Sequence, residues 1–261
     1  MKIQLICLFL AMVANAVCSE AVAKSSNYEV VSTEKGLKLV KWSGKKKVVD
    51  FNADPTLRQV QIIGRMVFEM NDFIEEVILP EGLQVIEWRA FNTCTNLRRV
   101  EMPHSVRRIE FSAFNMCRKL QLDALPDSLQ EIGAGAFWDC DGLTIFVIPE
   151  KVTRIERIAF AFCDGITELE LPNGLDTLSS RVFFGCHQLQ NFKMPSGLRV
   201  VGPKALAYTH LETITFPKTL EVIGEEAFVN CPKLKVVYLP VAAQVDSTAF
   251  TNCGEITINR Y

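Results

Sequence analysis

Apolar and polar positions alternate along this chain inside a longer repeating pattern. In Leu97-Arg98-Arg99-Val100-Glu101-Met102-Pro103, apolar residues at 100 and 102 alternate with charges, the period-2 signature of a half-buried strand. Pro103 ends that strand, because proline fixes its own φ and lacks an amide donor. Val106 and Ile109 then point inward from a second extended stretch. Ala113-Phe114 with Cys117 predicts a short turn or a single helical turn that closes a coil.

The same order recurs down the chain. Pro80, Pro103, Pro126, Pro149, Pro172, Pro195, Pro217 and Pro240 are 23 residues apart, except for one spacing of 22. Ten or so residues after each comes Ala-Phe or a close variant: Ala90-Phe91, Ala113-Phe114, Ala136-Phe137, Ala159-Phe160, Val182-Phe183, Ala205-Leu206, Ala227-Phe228 and Ala249-Phe250. Cysteine follows three residues later at 94, 117, 140, 163, 186, 231 and 253, with Thr209 standing in once. A single coil has too little apolar surface to fold alone, so the period predicts a solenoid whose coils are buried by stacking. With Phe68 in an earlier degenerate copy, the repeat accounts for eight of the 17 phenylalanines, which makes the aromatic content mainly a core ladder.

The period L-x-x-V/I-x-L-P-x-x-L-x-x-I-x-x-x-A-F-x-x-C resembles the BspA-like leucine-rich repeats, the 23-residue or Treponema type. Leu83, Ile86, Ala90, Phe91, Cys94, Leu97 and Val100 match it in turn, and the match runs from about Val60 to Ile258. The resemblance implies a leucine-rich-repeat solenoid of mostly parallel β-strands joined by short turns or helical turns, over residues 60–261. We expect eight or nine right-handed coils in about 40 Å, at roughly 5 Å per strand. Residues 28–59 are expected to be an N-terminal capping hairpin and a degenerate repeat, with Leu37 to Phe51 as strand–turn–strand and Ser43-Gly44 at the turn. The sixth copy is one residue short, carries Leu206 and Thr209 for Phe and Cys, and adds Pro203, so a local irregularity is expected there. The asparagine ladder of other leucine-rich repeats is missing, as it is in this subtype.

Ahead of the repeats, residues 1–16 read as a signal peptide. Lys2 is the basic start, Ile3 to Val13 the apolar run, and Ala14-Asn15-Ala16 an A-x-A cleavage pattern, with cuts after Ser19 or Ala23 fitting nearly as well. The run is shorter than the roughly 20 residues of a spanning helix, so no transmembrane segment is expected in the mature chain. Residues 17–27 read as a linker. Cys18 is a candidate lipid acceptor, although Val17 stands where a lipoprotein signal wants a small residue. The expected location is secreted or at the cell surface.

Composition narrows the function. With 28 basic and 30 acidic residues, the formal charge of -2 gives no electrostatic reason to expect a nucleic-acid partner. The ladder cysteines lack the clustered spacing of zinc sites, and equivalent side chains in a stack point in parallel into the core, where free cysteine acts as a small hydrophobe. They are read as buried free thiols, and a serine there is expected to cost about 1–3 kcal/mol, more than an alanine. Only three histidines occur, at 104, 187 and 210, in unlike positions, and none of the common hydrolase, metalloprotease or phosphate-binding motifs is present. No catalytic, cofactor-binding or metal residue is assigned, and the chain is not expected to be an enzyme.

What remains is binding or structure. The outward residues of the first strands are free to vary from coil to coil. Leu122 with Ala124 and Ile145 with Val147 are wholly apolar pairs, flanked by Arg99 on one side and by Glu168 and Glu170 on the other. An apolar centre with a polar rim is the pattern of a protein-binding patch. Two other readings stand beside it: a neighbouring segment or a second copy covers the patch, or β-branched residues simply favour strands. Asp123 falls at an inward position, and a strand shifted by one residue, with Leu122 inward, accounts for it better than a buried acid. The resemblance implies attachment to a protein ligand, a host extracellular-matrix or cell-surface protein. The alternative is a structural envelope or periplasmic scaffold without a specific ligand.

Overall fold

The computed structural model describes residues 21–122, 124–144 and 147–261. The signal peptide, Cys18, Asp123 and Ile145 lie outside the described residues. A regular coil has two strand sides and a turn side. On the side of the second, shorter extended stretch, β3 (Gly36–Trp42) pairs in parallel with β5 (Ile62–Ile63), and the sheet continues through β7 (Val85–Ile86), β9 (Arg108–Ile109), β10 (Glu131–Ile132) and β11 (Arg154–Ile155). It resumes as β13 (Thr177–Leu178), β15 (Val200–Val201), β17 (Val222–Ile223) and β19 (Gln244–Val245). On the side of the first extended stretch lie three separate sheets. These are β4 (Val48–Asp50) with β6 (Glu76–Ile78) and β8 (Arg99–Glu101), then β12 (Glu168–Glu170) with β14 (Asn191–Lys193), then β16 (Thr213–Thr215) with β18 (Val236–Leu239) and β20 (Thr257–Arg260).

Within residues 28–59, read as a capping hairpin and a degenerate repeat, β3 and β4 already pair with the following coil. The expected hairpin is misplaced. The antiparallel turn lies at Glu34-Lys35, between β2 (Tyr28–Thr33) and β3, and β1 (Ala21–Lys24) adds a third antiparallel strand inside the stretch read as linker. At Ser43-Gly44 the chain instead crosses from one sheet to the other, held by the Trp42 indole N–H, which donates to the Gly44 carbonyl at 2.9 Å. An antiparallel ribbon thus covers the first coil, the device by which a solenoid ends without exposing its core.

The third side of each coil is a run of tight turns and not a helix. Cys117 N–H donates back to the Phe114 carbonyl at 3.2 Å, while Phe114 N–H reaches the next coil at the Ala136 carbonyl, 2.8 Å away. Two residues per turn have positive φ, Ser112 at 52° and Met116 at 59° in this coil, and the pattern recurs. Their left-handed backbone turns successive amides along the stacking axis, so the turns are hydrogen-bonded from coil to coil like strands.

The repeat signature is the core. Phe68, Phe91, Phe114, Phe137, Phe160 and Phe183 are fully buried and stack nearly parallel, with centroids 4.8 to 5.7 Å apart. Leu206 interrupts the column, and Phe228 and Phe250 resume it at 5.3 Å. All seven ladder cysteines are buried free thiols. Burial pushes the Cys186 thiol up to about 12 and raises those of Cys117, Cys140 and Cys163 as well.

These thiols do more than fill space. Cys140 Sγ donates to the Phe114 carbonyl of the preceding coil at 3.0 Å, and the other ladder thiols repeat the bond, at 2.9 to 3.2 Å. Thr209, the natural substitute, is fully buried, and its hydroxyl donates to the Leu206 carbonyl at 2.9 Å. The expected ranking of substitutions is therefore reversed. Cys140→Ser keeps a donor for the Phe114 carbonyl, whereas Cys140→Ala loses the bond and leaves a void. We expect the alanine variant to lose about 1 kcal/mol more than the serine variant in urea unfolding. Equal losses would mean that the S–H bond contributes nothing.

Candidate protein-binding surface

On the first-strand side, residues alternate cleanly wherever the sheet is regular. Val77, Val100, Leu169, Ile214 and Val237 are buried, while their neighbours on either side face water or the rim. Arg99 is exposed, its guanidinium 3.0 Å from Glu101 and 3.7 Å from Glu76. Glu168 is exposed, and Glu170 is half-buried and paired with Lys193. Pairs this open to solvent are worth little to stability, so these side chains are available to a ligand.

The centre of the expected patch differs from its reading in the sequence. Leu122 is buried and leaves the surface. In this coil Arg99 bridges Gln121, where the regular offset would bring it to Leu122, so the strand has slipped by one residue. The slip turns a leucine inward at the point where the regular register would bury Asp123, an unpaired carboxylate in an apolar stack. Ala124 is exposed, and Val147 is 43% exposed while bridging Glu170 in the regular register. The structure thus places Arg99, Ala124, Val147, Glu168 and Glu170 on one side of the solenoid, with the sheet interrupted between β8 and β12.

Two surface features escaped the sequence reading. The first is a cleft of about 690 Å³ on the same side, lined by residues of β12, β14 and the start of β16. Its signal was present: the sixth copy reads Thr209-His210-Leu211 where other copies have Cys-x-x-Leu, and the sheet breaks there. The second is an aromatic row on the turn side, Trp138, Phe162, Phe184 and Tyr208, in edge-to-face contacts of 5.1 to 5.9 Å. Gly185, at φ 72°, makes room for it, since a Cβ there would lie 2.8 Å from the Phe162 ring.

Among the described residues the three histidines lie apart from one another. His187 Nδ1 lies 3.0 Å from Asp164 and His104 Nδ1 lies 3.3 Å from Asp127, in different coils, and burial lowers the His210 pKa. Among the described residues no three His, Cys, Asp or Glu side chains are placed to hold a metal ion, and no helix is long and apolar enough to cross a membrane.

Comparison with known proteins agrees with this architecture. The chain is similar over 95% of its length to a leucine-rich repeat protein from Bacteroides ovatus, with 25% identity, a TM-score of 0.67 and 71% of that chain covered. A leucine-rich repeat protein of T. pallidum matches 81% of the chain and 90% of its own, at 26% identity and a TM-score of 0.64. A leucine rich cell surface protein from Faecalibacterium prausnitzii shares the fold at 18% identity, a TM-score of 0.50, and 92% and 94% coverage. No curated protein matches the sequence significantly. Residues 54–167 and 130–257 match the model of the BspA type leucine rich repeat region, in six copies. From the 23-residue period, the parallel coils and this match, the chain belongs to the BspA-type leucine-rich repeat family, whose solenoids serve protein interaction.

Proposed function

We propose that the chain is an exported binding module that attaches to a host extracellular-matrix or cell-surface protein through its first-strand side. The observation that carries this is the exposed pair Ala124 and Val147, lying between charged residues on both sides. An isolated apolar centre inside a charged rim suits a partner that covers the centre and is oriented by the rim. Arg99 sets orientation from one flank, and Glu168 and Glu170 from the other. Ile145, read from the sequence as an anchor beside Val147, lies outside the described residues. Export rests on the signal-peptide pattern of residues 1–16.

The test is solid-phase capture of the purified mature chain on immobilised extracellular-matrix proteins. Val147→Lys is expected to weaken capture about tenfold or more while leaving the melting temperature unchanged, since Val147 is at the surface. Capture of the variant as strong as that of the parent would move the site elsewhere. No capture of the parent on any matrix or cell surface would favour a structural role in the envelope.

A further inference from the structure

The cleft between β14 and β16 is a consequence of one missing residue. In the regular coils the ladder cysteine and the next inward leucine span four residues, as in Cys186-His187-Gln188-Leu189, and the strand that follows docks on its predecessor. Thr209-His210-Leu211 shortens that turn by one. His210 N–H takes the Leu189 carbonyl at 3.0 Å, and beyond it no backbone hydrogen bond joins residues 190–193 to residues 212–215. Phe192 widens the opening. It stands where the other coils have an aliphatic side chain, and it is only half-buried, edge-on to Phe183 at 5.6 Å.

In a parallel ladder, alternate residues face opposite neighbours. Thr213 and Thr215 are the residues of β16 that face β14, because Val236 and Tyr238, their counterparts in β18, are the ones that bond back to β16. Phe192 faces the gap from β14 by the same alternation. The cleft therefore presents main-chain N–H and C=O groups without backbone partners, at the second of the two breaks between the sheets of this side. Unpaired strand edges are templates for another extended chain.

Charge selects among such chains. Glu168, Glu170 and Glu212 line the cleft against a single cation, Lys193, which is already paired with Glu170. Glu212 is 62% exposed, and its nearest cation, Lys235, is 3.9 Å away. The volume, about 690 Å³, is that of a cleft able to enclose a short segment of chain. We propose that this cleft binds an extended protein segment by strand addition to the free edge of β16, with a lysine or arginine of the segment held among Glu168 and Glu212. This rests on the protein-binding reading above and gives it a ligand chemistry.

The probe is a fluorescent eight-residue peptide of alternating lysine and threonine, with two relatives: one with glutamate for lysine, and one N-methylated on alternate amides. Anisotropy with the full mature chain should show saturable binding of the lysine peptide and at least tenfold weaker binding of both relatives. Glu212→Gln should weaken the lysine peptide severalfold and Glu212→Lys at least tenfold, while Glu81→Gln, in a distant coil, leaves it unchanged. Absence of binding, indifference to Glu212→Lys, or equal binding of the N-methylated peptide would each overturn the proposal. The matrix-capture assay separates the two readings. Capture that survives Glu212→Lys but not Val147→Lys, with no peptide binding, sinks the cleft alone, whereas a parent chain that captures nothing sinks the adhesion reading.

Discussion

Phe137→Ala is expected to lower the free energy of unfolding by about 4 kcal/mol. The ring lies in the middle of the column, 5.4 Å from Phe114 and 5.3 Å from Phe160, within 9° of parallel with both, and is fully buried. Its loss removes burial and both stacking contacts, each worth about 0.5–1.5 kcal/mol beyond area. The coils cannot collapse onto the void, because backbone hydrogen bonds on the second-strand side and the turn side hold them apart. Phe250→Ala, at the half-buried end of the column with one stacked neighbour, should cost about half as much. Urea unfolding followed by circular dichroism measures both. A loss below about 1 kcal/mol at Phe137 would mean that the column is not what holds the coils together.

The second large effect falls on a residue without a side chain. Gly165 sits in the turn after Cys163, and a Cβ there would lie 2.3 Å from the Leu143 carbonyl oxygen and 2.5 Å from that of Asp141. Both are backbone atoms of the preceding coil, so a methyl group can be accommodated only by parting the coils. Gly165→Ala is expected to destabilise by about 2–3 kcal/mol, at the upper end of overpacking costs. Gly174→Ala, whose Cβ would meet nothing within 4 Å, is the control and should be neutral or slightly stabilising. Equal stability of the two variants would show that the coils do not approach as closely as described.

Most of the core was legible in the sequence, because each inward residue type recurs at its own place in the period. Phe91, Cys94, Leu97 and Val100 are buried, as are most of their counterparts among the described residues, with Phe192, Phe250 and Ile256 half-buried. The misreadings are local. Ser43-Gly44 has turn composition, but the hairpin closes at Glu34-Lys35, where Gly36 at φ 115° and the Thr33 hydroxyl bonding the Gly36 carbonyl at 2.7 Å set the geometry. Composition names a turn, and only pairing says which two strands it joins. Leu122 was open to two registers, since a slip of one residue exchanges the faces of a strand, and the choice depends on the cost of burying Asp123.

The binding side was harder to read for a different reason. Outward positions carry no periodic constraint, so nothing in the repeat marks which of them act together. The shortened spacing before Pro217 was visible, and with it an irregularity. That it opens a cleft depends on where His210 finds its backbone partner and on the bulk of Phe192, which are properties of packing. The aromatic row from Trp138 to Tyr208 escaped for the same reason: its members alternate between two positions of the turn and share no single place in the period.

The central claim is that the first-strand side is the binding surface of this solenoid. Hydrogen–deuterium exchange of the mature chain, free and bound to whichever matrix protein captures it, tests that claim most directly. The account predicts added protection at residues 99–101, 147–148, 168–170 and 211–215, with the turn side unchanged. Protection confined to the turn side, around Phe162, Phe184 and Tyr208, would contradict it.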